Sequence, residues 1–355
     1  MEKEEAAKAA PETFNKDSEF REHEQHEQGT FSELKDDISY NQTGDKPNEK
    51  TIGLFRLRDG NRRMADGHLM PIPIGIFHNV LYRGEVTILY ADTGSGKSIL
   101  AIQIALEVCE SGEIVLVIDL ELSDKQFEAR YSDNYEKPFE FPDNFHIADM
   151  TIYPKIPEDY TYEDWFIECM RMLIIETKAT FVVIDNMTKL VSADTDKAQV
   201  AKPLMDRLID LKREFNLTML LLEHTRKTDM YRQISLNDLQ GSKMKANFTD
   251  SVFAIGRSAK DVNLRYIKQL KCRSTEITFD EDNVMVCEVV KENSFLYFKP
   301  IGYSSESEHL KKPDDKDRSS LIDKVKELSE GGKSQREIAN ELGISLGAVN
   351  KYLKR

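Results

Sequence analysis

The segment 86–98 constrains the fold of this chain more than any other stretch. A β-type run, Val-Thr-Ile-Leu-Tyr, leads into Ala-Asp-Thr-Gly-Ser-Gly-Lys-Ser, and a helical pattern follows at once. A turn of small residues between a strand and a helix lets backbone N–H groups and the positive end of the helix surround an anion. The segment therefore predicts an α/β fold with a phosphate-binding loop (P-loop), and we expect ATP as its ligand. The expected nucleotide-binding residues are Thr93, Gly94, Ser95, Gly96, Lys97, Ser98 and Ile99.

The loop departs from the strict pattern G-x-x-x-x-G-K-[ST] at one place, because Ala91 stands at the position of the first glycine. A plain turn before a helix is the alternative interpretation. The strand before the loop, the helix after it and the acidic strand ends downstream favour nucleotide binding. In that case Lys97 reaches the β- and γ-phosphates, and Ser98 holds Mg²⁺.

Charge is distributed unevenly along the 355 residues. The 63 acidic and 49 basic residues give a net charge of -14, which argues against nucleic-acid binding over the whole surface. About half of the excess falls in residues 1–50, where branched aliphatic residues are scarce, whereas residues 331–355 are basic. We predict a disordered acidic tail over residues 1–50. A short docking helix around residues 31–34 is the alternative.

Neither a metal cluster nor a membrane segment is predicted. The four cysteines, Cys109, Cys169, Cys272 and Cys287, form no C-x-x-C pair, so we expect reduced core thiols. No apolar run approaches the roughly 18 residues that a membrane span requires, and none of signal length lies near the start. We therefore expect a cytoplasmic protein with no membrane partner.

The alternation of strands and helices predicts the architecture. Continuous apolar strands at 86–90, 114–120, 181–185, 218–223 and 252–256 alternate with helices near 98–110, 125–135, 162–177 and 196–215. This pattern is typical of a mainly parallel sheet covered on both faces. Closely spaced strands at 264–270, 284–290 and 295–299 predict an antiparallel extension. The expected domains are the tail (1–50), an ATPase domain (51–301), a linker (302–317) and a small all-α domain (318–355).

Two apolar strands end in acidic residues that suit phosphate chemistry. Asp185 closes the run Phe-Val-Val-Ile-Asp and is the candidate Walker B residue, the acidic partner of Mg²⁺. The run Val-Leu-Val-Ile-Asp-Leu-Glu offers two candidates for the carboxylate that activates water, Asp119 and Glu121. We prefer Glu121, which lies at the end of this run.

The segment Leu-Glu-Leu-Ser-Asp-Lys-Gln-Phe-Glu-Ala-Arg, residues 120–130, resembles the L-E-M-S-x-x-Q-L-x-x-R segment of RecA-fold replicative helicases of the DnaB kind. Residues 84–299 look like the branch of hexameric RepA-type plasmid helicases and related ATPases. The resemblance implies a RecA-like P-loop NTPase fold, a Glu121 that activates the attacking water, and an Arg130 near the adenine. A surface arginine on a helix is the alternative for Arg130.

The next apolar strand ends in polar donors, at the family position where a histidine or glutamine senses the γ-phosphate. His224 is the sensor candidate, and a hydrogen-bonded strand-end histidine is the alternative. The polar stretch that follows resembles the family's pore loops, which contact single-stranded DNA, although an ordinary solvated loop has similar composition. Its candidate DNA-binding residues are Arg226, Lys227, Lys243 and Lys245.

A basic strand end, Leu-Lys-Cys-Arg-Ser-Thr at residues 270–275, resembles the K-x-R pattern that carries the arginine finger in the same branch. Lys271 and Arg273 are therefore the candidates for stabilising the γ-phosphate of a neighbouring subunit. The exposed basic end of a hairpin is the alternative. If the finger acts in trans, the active form is a homo-oligomer, and we expect a hexameric ring.

The C-terminal string S-Q-R-E-I-A-N-E-L-G-I-S-L-G-A-V-N-K-Y-L-K-R resembles the helix-turn-helix of many bacterial DNA-binding proteins. Ser334 and Glu337 have the spacing of a helix cap, and Gly343 ends that helix. No acidic residue occurs in 344–355, which suits a helix in the major groove of duplex DNA. A three-helix protein-docking module is the alternative. The expected DNA-binding residues are Ser345, Asn350, Lys351, Lys354 and Arg355.

Two functions fit these features. The first is a ring-forming, ATP-driven DNA motor or loader for replication or mobilisation of a plasmid, phage or integrated element. The second is a non-translocating ATP switch that controls a DNA-binding regulator of transcription or recombination. The basic residues of the pore-loop stretch favour the first function, and the acidic composition of the chain keeps the second open.

Overall fold

The computed structural model describes residues 49–70, 72–150, 155–190, 198–225, 230–239, 243–312 and 315–354. The chain divides into two compact units, Met1–Pro71 and Ile72–Arg355. The predicted acidic tail lies outside the described residues except for its last two, which begin the first strand.

The described residues of the first unit, 49–70, form a hairpin and one helix. Strand β1 (Glu49–Ile52) pairs antiparallel with β2 (Phe55–Arg58), and α1 spans Gly60–His68. Asp59 caps α1 by accepting a hydrogen bond from the backbone N–H of Arg62. We predicted that the ATPase domain begins at residue 51, but residues up to 71 belong to this separate unit.

The second unit contains the remaining elements. Its strands are β3 (Gly75–Ile76), β4 (Leu81–Tyr82), β5 (Val86–Ala91), β6 (Val115–Asp119), β7 (Ser132–Asp133), β8 (Lys137–Pro138), β9 (Phe145–Ala148), β10 (Phe181–Asp185), β11 (Thr218–His224), β12 (Ser251–Arg257), β13 (Leu264–Lys271), β14 (Val284–Glu292) and β15 (Phe295–Ser304). Its helices are α2 (Lys97–Glu110), α3 (Asp124–Arg130), α4 (Tyr162–Thr177), α5 (Ala198–Phe215), α6 (Lys243–Phe248), α7 (Asp315–Glu330), α8 (Gln335–Leu342) and α9 (Leu346–Leu353).

Within the described residues, nine strands form one sheet in the order β15-β14-β13-β12-β5-β11-β10-β6-β9. The six strands from β12 to β9 in that order run parallel, and β13, β14 and β15 continue the sheet antiparallel. The predicted mainly parallel sheet with an antiparallel extension is therefore confirmed. Since parallel strands end at the same edge, the residues that follow β5, β6, β10 and β11 gather there.

Alternation along the buried strands supplies a core on both faces. On β11, Leu220 and Leu222 join the cluster that contains α2, whereas Met219 and Leu221 join the cluster that contains α4 and α5. The strands β5, β6 and β10 are buried along their whole length, as their continuous apolar sequences predict.

Three local predictions need correction. Helix α3 ends at Arg130 rather than near 135, and the next residues form the β7–β8 hairpin, whose turn contains Asn134 and Tyr135 with left-handed backbone angles. The edge strand β9 was not predicted. Of the cysteines, Cys109 and Cys287 are buried core thiols, but the other two are only partly buried.

The predicted linker also begins too early. Strand β15 continues to Ser304, and Glu306 and His309 are buried in the second unit. His309 contacts Ser304 and Ser258 through its two ring nitrogens, which fixes this segment to the sheet. Residues 302–310 therefore belong to the sheet domain rather than to a linker.

Helices α7, α8 and α9 form the predicted all-α module around Val325, Ile338 and Val349. Ser334 and Glu337 form the expected capping box, and Gly343 ends α8 at φ 63°. Helix α7 begins at Asp315, slightly before the predicted boundary at 318. In the described part of the chain, every helix is too short or too polar to cross a membrane.

Candidate nucleotide site and DNA-binding helices

The P-loop wraps around the amino end of α2. Gly94 and Gly96 have φ values of 71° and 101°, which are left-handed angles that glycine adopts without strain. A Cβ atom on Gly96 would lie 2.8 Å from the ring of Phe298. Both the backbone angle and the close ring therefore require glycine at this position.

Lys97 is buried at the centre of the site. Its Nζ lies 3.0 Å from the carbonyl oxygen of Ala91 and 3.2 Å from Nδ1 of His224. Burial lowers the pKa of Lys97, and the carboxylates of Asp185 and Glu121 partly oppose this shift. The ammonium therefore lies at the end of the P-loop strand, within contact of the predicted sensor.

Asp185 and Ser98 offer oxygen ligands for a divalent cation. Asp185 is buried, it accepts a hydrogen bond from Ser98, and its Oδ1 atom has no hydrogen-bond partner among the described residues. Burial raises the pKa of Asp185 to about 6, and the negative charges of Glu121 and Asp119 add to the shift. A hydroxyl beside a carboxylate with an unpaired oxygen fits Mg²⁺, which prefers oxygen ligands.

The two carboxylates that follow β6 have different surroundings. One oxygen of Asp119 accepts the backbone N–H groups of Glu121 and Leu122, at 3.0 Å each. The carboxylate of Glu121 instead accepts a hydrogen bond from the amide of Asn186 and lies 3.3 Å from Nε2 of His224. Asp119 thus holds the turn, and Glu121 faces the other polar residues of the site.

His224 bridges Lys97 and Glu121. Because an ammonium group only donates hydrogen bonds, Nδ1 of His224 is the acceptor toward Lys97. The other ring nitrogen, Nε2, lies 3.3 Å from Oε1 of Glu121 and 3.0 Å from the amide nitrogen of Asn186. The structure therefore connects three of the predicted catalytic residues in one chain of contacts.

Asn186 is a site residue that the sequence reasoning missed. Its amide lies between Glu121 and His224, 3.0 Å from Nε2 of the histidine. It directly follows Asp185, through a cis peptide bond. A polar residue immediately after the acidic strand end was the available signal.

Two arginines next to the P-loop were also missed. Arg257, at the end of β12, donates to the carbonyl oxygen of Thr93 at 2.6 Å and contacts Oγ of Ser95 at 3.2 Å. Arg265, its cross-strand partner on β13, donates to the carbonyl oxygen of Ser95 at 3.1 Å. Burial and the neighbouring Arg257 lower the pKa of Arg265. These side chains fix the outer side of the loop.

Arg130 lies at the end of α3, and its Nη1 atom is buried without a hydrogen-bond partner in the described structure. The next residue, Tyr131, packs among Phe127, Phe141 and Phe295. The proximity of Arg130 to an adenine ring stays a prediction.

Lys271 and Arg273 lie at the opposite edge of the sheet from the P-loop. Lys271 donates to the carbonyl oxygens of Ala246 and Thr249, at 2.6 and 2.5 Å. Arg273 contacts the carbonyl oxygen of Asn247 at 2.9 Å and is 53% exposed. Since β12 and β13 run antiparallel, the length of a strand, roughly 15–20 Å, separates these residues from the P-loop of their own chain.

The predicted pore-loop residues have different outcomes. Lys245 is 1% exposed and forms a buried ion pair with Glu223, so the prediction that it contacts DNA is wrong. Arg226 and Lys227 lie outside the described residues, as does the side chain of Lys243. In the sequence Lys245 is a basic residue within a polar stretch, and nothing in that pattern indicates that it pairs with the buried Glu223.

The helix-turn-helix exposes most of its predicted contact residues. Ser345 caps α9 by accepting the backbone N–H of Ala348 at 3.1 Å, and it is exposed. Lys351 and Lys354 are exposed, Asn350 is partly buried, and Arg355 lies outside the described residues. The amino end and one side of α9 are thus accessible.

Comparison with known families agrees with both sites. Residues 66–230 match the family model of an AAA domain. Residues 326–355 match that of a winged helix-turn-helix DNA-binding domain. No curated protein matches the chain. The AAA domain match contains the P-loop, Glu121, Asp185 and His224, and it ends before β12.

The chain therefore combines a P-loop ATPase domain of the AAA type with a DNA-binding module. This combination indicates an ATP-driven function associated with DNA.

Proposed function

We propose that the chain is a ring-forming ATPase that acts as a DNA motor or loader in the replication or mobilisation of a plasmid, phage or integrated element. The observation that carries the proposal is the separation of the two charged sites. Lys97, Glu121 and His224 meet at one edge of the sheet, and Arg273 lies at the other. A second copy is then needed to bring Arg273 to the nucleotide.

Each residue at the P-loop edge has its own role in the proposed hydrolysis of ATP. The loop N–H groups and Lys97 bind the phosphates, and Ser98 and Asp185 hold Mg²⁺. Bound Mg²⁺ neutralises charge that develops on the phosphoryl oxygens. Glu121 accepts a proton from the attacking water as it adds to the γ-phosphorus. ADP leaves with the β–γ bridging oxygen.

The contacts of His224 support its role as a γ-phosphate sensor. Lys97 and Glu121 lie on its two sides, so a change at the γ-phosphate that moves Lys97 also alters the position of the water-activating carboxylate. The amide of Asn186 donates a hydrogen bond to the same carboxylate. The histidine thereby links occupancy of the site to its readiness for hydrolysis.

The exposure of Arg273 supports a finger that acts on a neighbouring subunit. An arginine finger supplied in trans stabilises the charge of the transition state. Lys271, two residues before Arg273, donates hydrogen bonds to two backbone carbonyl oxygens, and these bonds fix the position of the strand end. A closed ring gives every subunit such a neighbour, and a hexamer is the proposed form.

The segment 120–130 supports placement within the RepA and DnaB branch of RecA-like helicases. In that assignment Arg226, Lys227 and Lys243 line the pore and contact single-stranded DNA. The exposed residues Ser345, Lys351 and Lys354 then contact duplex DNA through the second module.

A second candidate is an ATP-controlled DNA-binding regulator that does not move along DNA. The burial of Lys245 favours it, because this residue no longer contributes to a basic pore surface. Net charge of -14 favours it as well.

An ATPase and strand-displacement assay with the full chain separates the candidates. We expect single-stranded DNA to stimulate hydrolysis, and Lys97→Ala to abolish it. Glu128→Gln, a change of a partly exposed residue on α3 that pairs with Lys125, is the control. Hydrolysis that DNA leaves unchanged, with no strand displacement, would contradict the motor and support the regulator.

A further inference from the structure

A segment beyond the sensor strand lies between the P-loop and the helix-turn-helix module. Met230, Arg232 and Ile234 border a small cavity of about 40 Å³ whose lining also includes Asp92 and Ser95 of the P-loop. Met230, Arg232 and Leu310 are on the wall formed by the segment and the chain after β15. The segment therefore contacts the surroundings of the nucleotide site directly.

The same segment borders a second cavity on its other side. This cavity, of about 530 Å³, is enclosed by residues 231–233 and by Gly343, Ser345 and Tyr352 of the helix-turn-helix. Arg232 and Leu310 border both cavities. These two residues are therefore shared by the surroundings of the P-loop and the surroundings of the DNA-binding module.

Gly343 of the helix-turn-helix lies directly against Arg232. A Cβ atom on this glycine would lie 2.9 Å from Cδ and 3.2 Å from Nε of Arg232. The Arg232 guanidinium is held by the buried carboxylate of Asp238, with Nη1 3.0 Å from Oδ2. Asp238 also accepts the backbone N–H of Ser235 at 2.8 Å. The arginine stem is therefore fixed where it meets Gly343.

The segment is tied to the sheet by buried polar contacts. The hydroxyl of Tyr90, on the P-loop strand β5, donates to the carbonyl oxygen of Ser235 at 2.7 Å. The backbone N–H of Ile234 donates to Glu306 at 2.7 Å, and Lys268 donates to the carbonyl oxygen of Ile234 at 3.1 Å. These hydrogen bonds connect the segment that carries Arg232 to β5, to β13 and to the chain after β15.

We infer that the helix-turn-helix docks on Arg232 through Gly343, and that this contact couples nucleotide binding at the P-loop to duplex DNA binding at α9. The inference rests on the proposed function only in requiring that the chain binds both ligands. Gly343 lies just before α9, and Ser345, the cap of α9, borders the same cavity. A duplex that approaches the amino end of α9 meets residues 231–233 in the docked arrangement.

The reciprocity of linked equilibria makes the coupling measurable. If nucleotide changes the affinity for DNA by some factor, DNA changes the affinity for nucleotide by the same factor. The coupling factor is the ratio of the DNA affinities of one variant with and without nucleotide. A substitution that changes both affinities by the same amount therefore leaves the factor unchanged.

Two matched glycine substitutions test the docking contact. Asparagine tolerates the left-handed backbone angle at the end of α8, so Gly343→Asn is compatible with the helix end. The asparagine side chain, however, collides with Arg232. Gly332→Asn places the same residue at φ 84° in the same module, where a Cβ atom meets nothing within 4 Å. In the full chain without ligand, we expect amide hydrogen exchange of residues 231–233 and 343–345 to rise in Gly343→Asn only. Equal exchange in the two variants would overturn the docking.

The coupling itself is measured with a fluorescein-labelled duplex of mixed sequence, with and without Mg²⁺ and a slowly hydrolysed ATP analogue. We expect wild type and Gly332→Asn to show a coupling factor of about fivefold or more, and Gly343→Asn a factor near one. A factor of one in wild type, with both ligands bound, would overturn the coupling while leaving the ATPase proposal intact. Failure of wild type to bind the nucleotide would instead contradict the proposed function.

Discussion

The two edges of the parallel sheet differ in how completely their charged groups are partnered. At the P-loop edge, Lys97 is buried, and His224 contacts both Lys97 and the partly accessible carboxylate of Glu121. At the other edge, Arg273 contacts the carbonyl oxygen of Asn247 at 2.9 Å and the carboxylate of Asp250 at 3.4 Å, and half of its side chain faces solvent. The difference indicates that one edge is organised to bind a ligand within the chain. The other presents a cation outward.

The largest expected effect comes from the exposed edge. We predict that Arg273→Ala lowers the steady-state rate of ATP hydrolysis by about 10³–10⁵-fold, the range for arginine fingers, with nucleotide still bound. Arg213→Ala, at an exposed arginine on α5, is the control and should leave the rate unchanged. A rate of Arg273→Ala close to that of the control would remove the functional difference between the edges.

The P-loop edge is tested next by Glu121→Gln, which keeps the size of the side chain but removes the base. We expect hydrolysis to fall by about 10²–10⁴-fold, because proton abstraction from water is lost. Nucleotide affinity, measured by fluorescence titration, should change little. Asp119→Asn would have the greater effect if Asp119 rather than Glu121 were the base.

The buried pair Lys245–Glu223 sharpens the contrast between enclosed and exposed cations. Lys245→Ala leaves an unpaired carboxylate in the core, and we expect the free energy of unfolding to fall by about 3–5 kcal/mol. Urea denaturation measures this loss, with Lys260→Ala at an exposed ion pair as the control. Equal midpoints for the two variants would show that the pair does not contribute to stability.

The smallest effect is expected at the DNA-binding helices. Lys351→Ala removes one exposed positive charge, and we predict that the slope of log affinity for duplex DNA against log salt concentration falls by about 0.9. Fluorescence anisotropy over a salt series measures the slope. An unchanged slope would place Lys351 outside the duplex interface.

The sequence was most informative where function depends on short segments. The position of the P-loop, of the acidic ends of β6 and β10, and of His224 at one edge of the sheet could be predicted, because each follows a continuous apolar strand of a parallel sheet. The helix-turn-helix could be predicted equally well, because Ser334, Glu337 and Gly343 act on neighbouring backbone groups.

Contacts between distant segments could not be predicted. Arg257 and Arg265 reach the P-loop only because β12 pairs with β5 and β13 with β12. Lys245 and Glu223 are 22 residues apart and meet in the core. In each case a basic residue in the sequence is compatible with solvent, DNA or a buried partner, and only the register and packing of the strands decide between them.

A subunit-mixing experiment tests the central claim, that the nucleotide site is completed by a second copy of the chain. Arg273→Ala subunits retain Glu121, and Glu121→Gln subunits retain Arg273, so some interfaces in a mixed assembly contain both wild-type residues. Activity at equal proportions should rise well above that of either variant alone, toward about a quarter of wild type for random mixing. No gain in activity at any ratio of exchanging subunits would contradict a shared site.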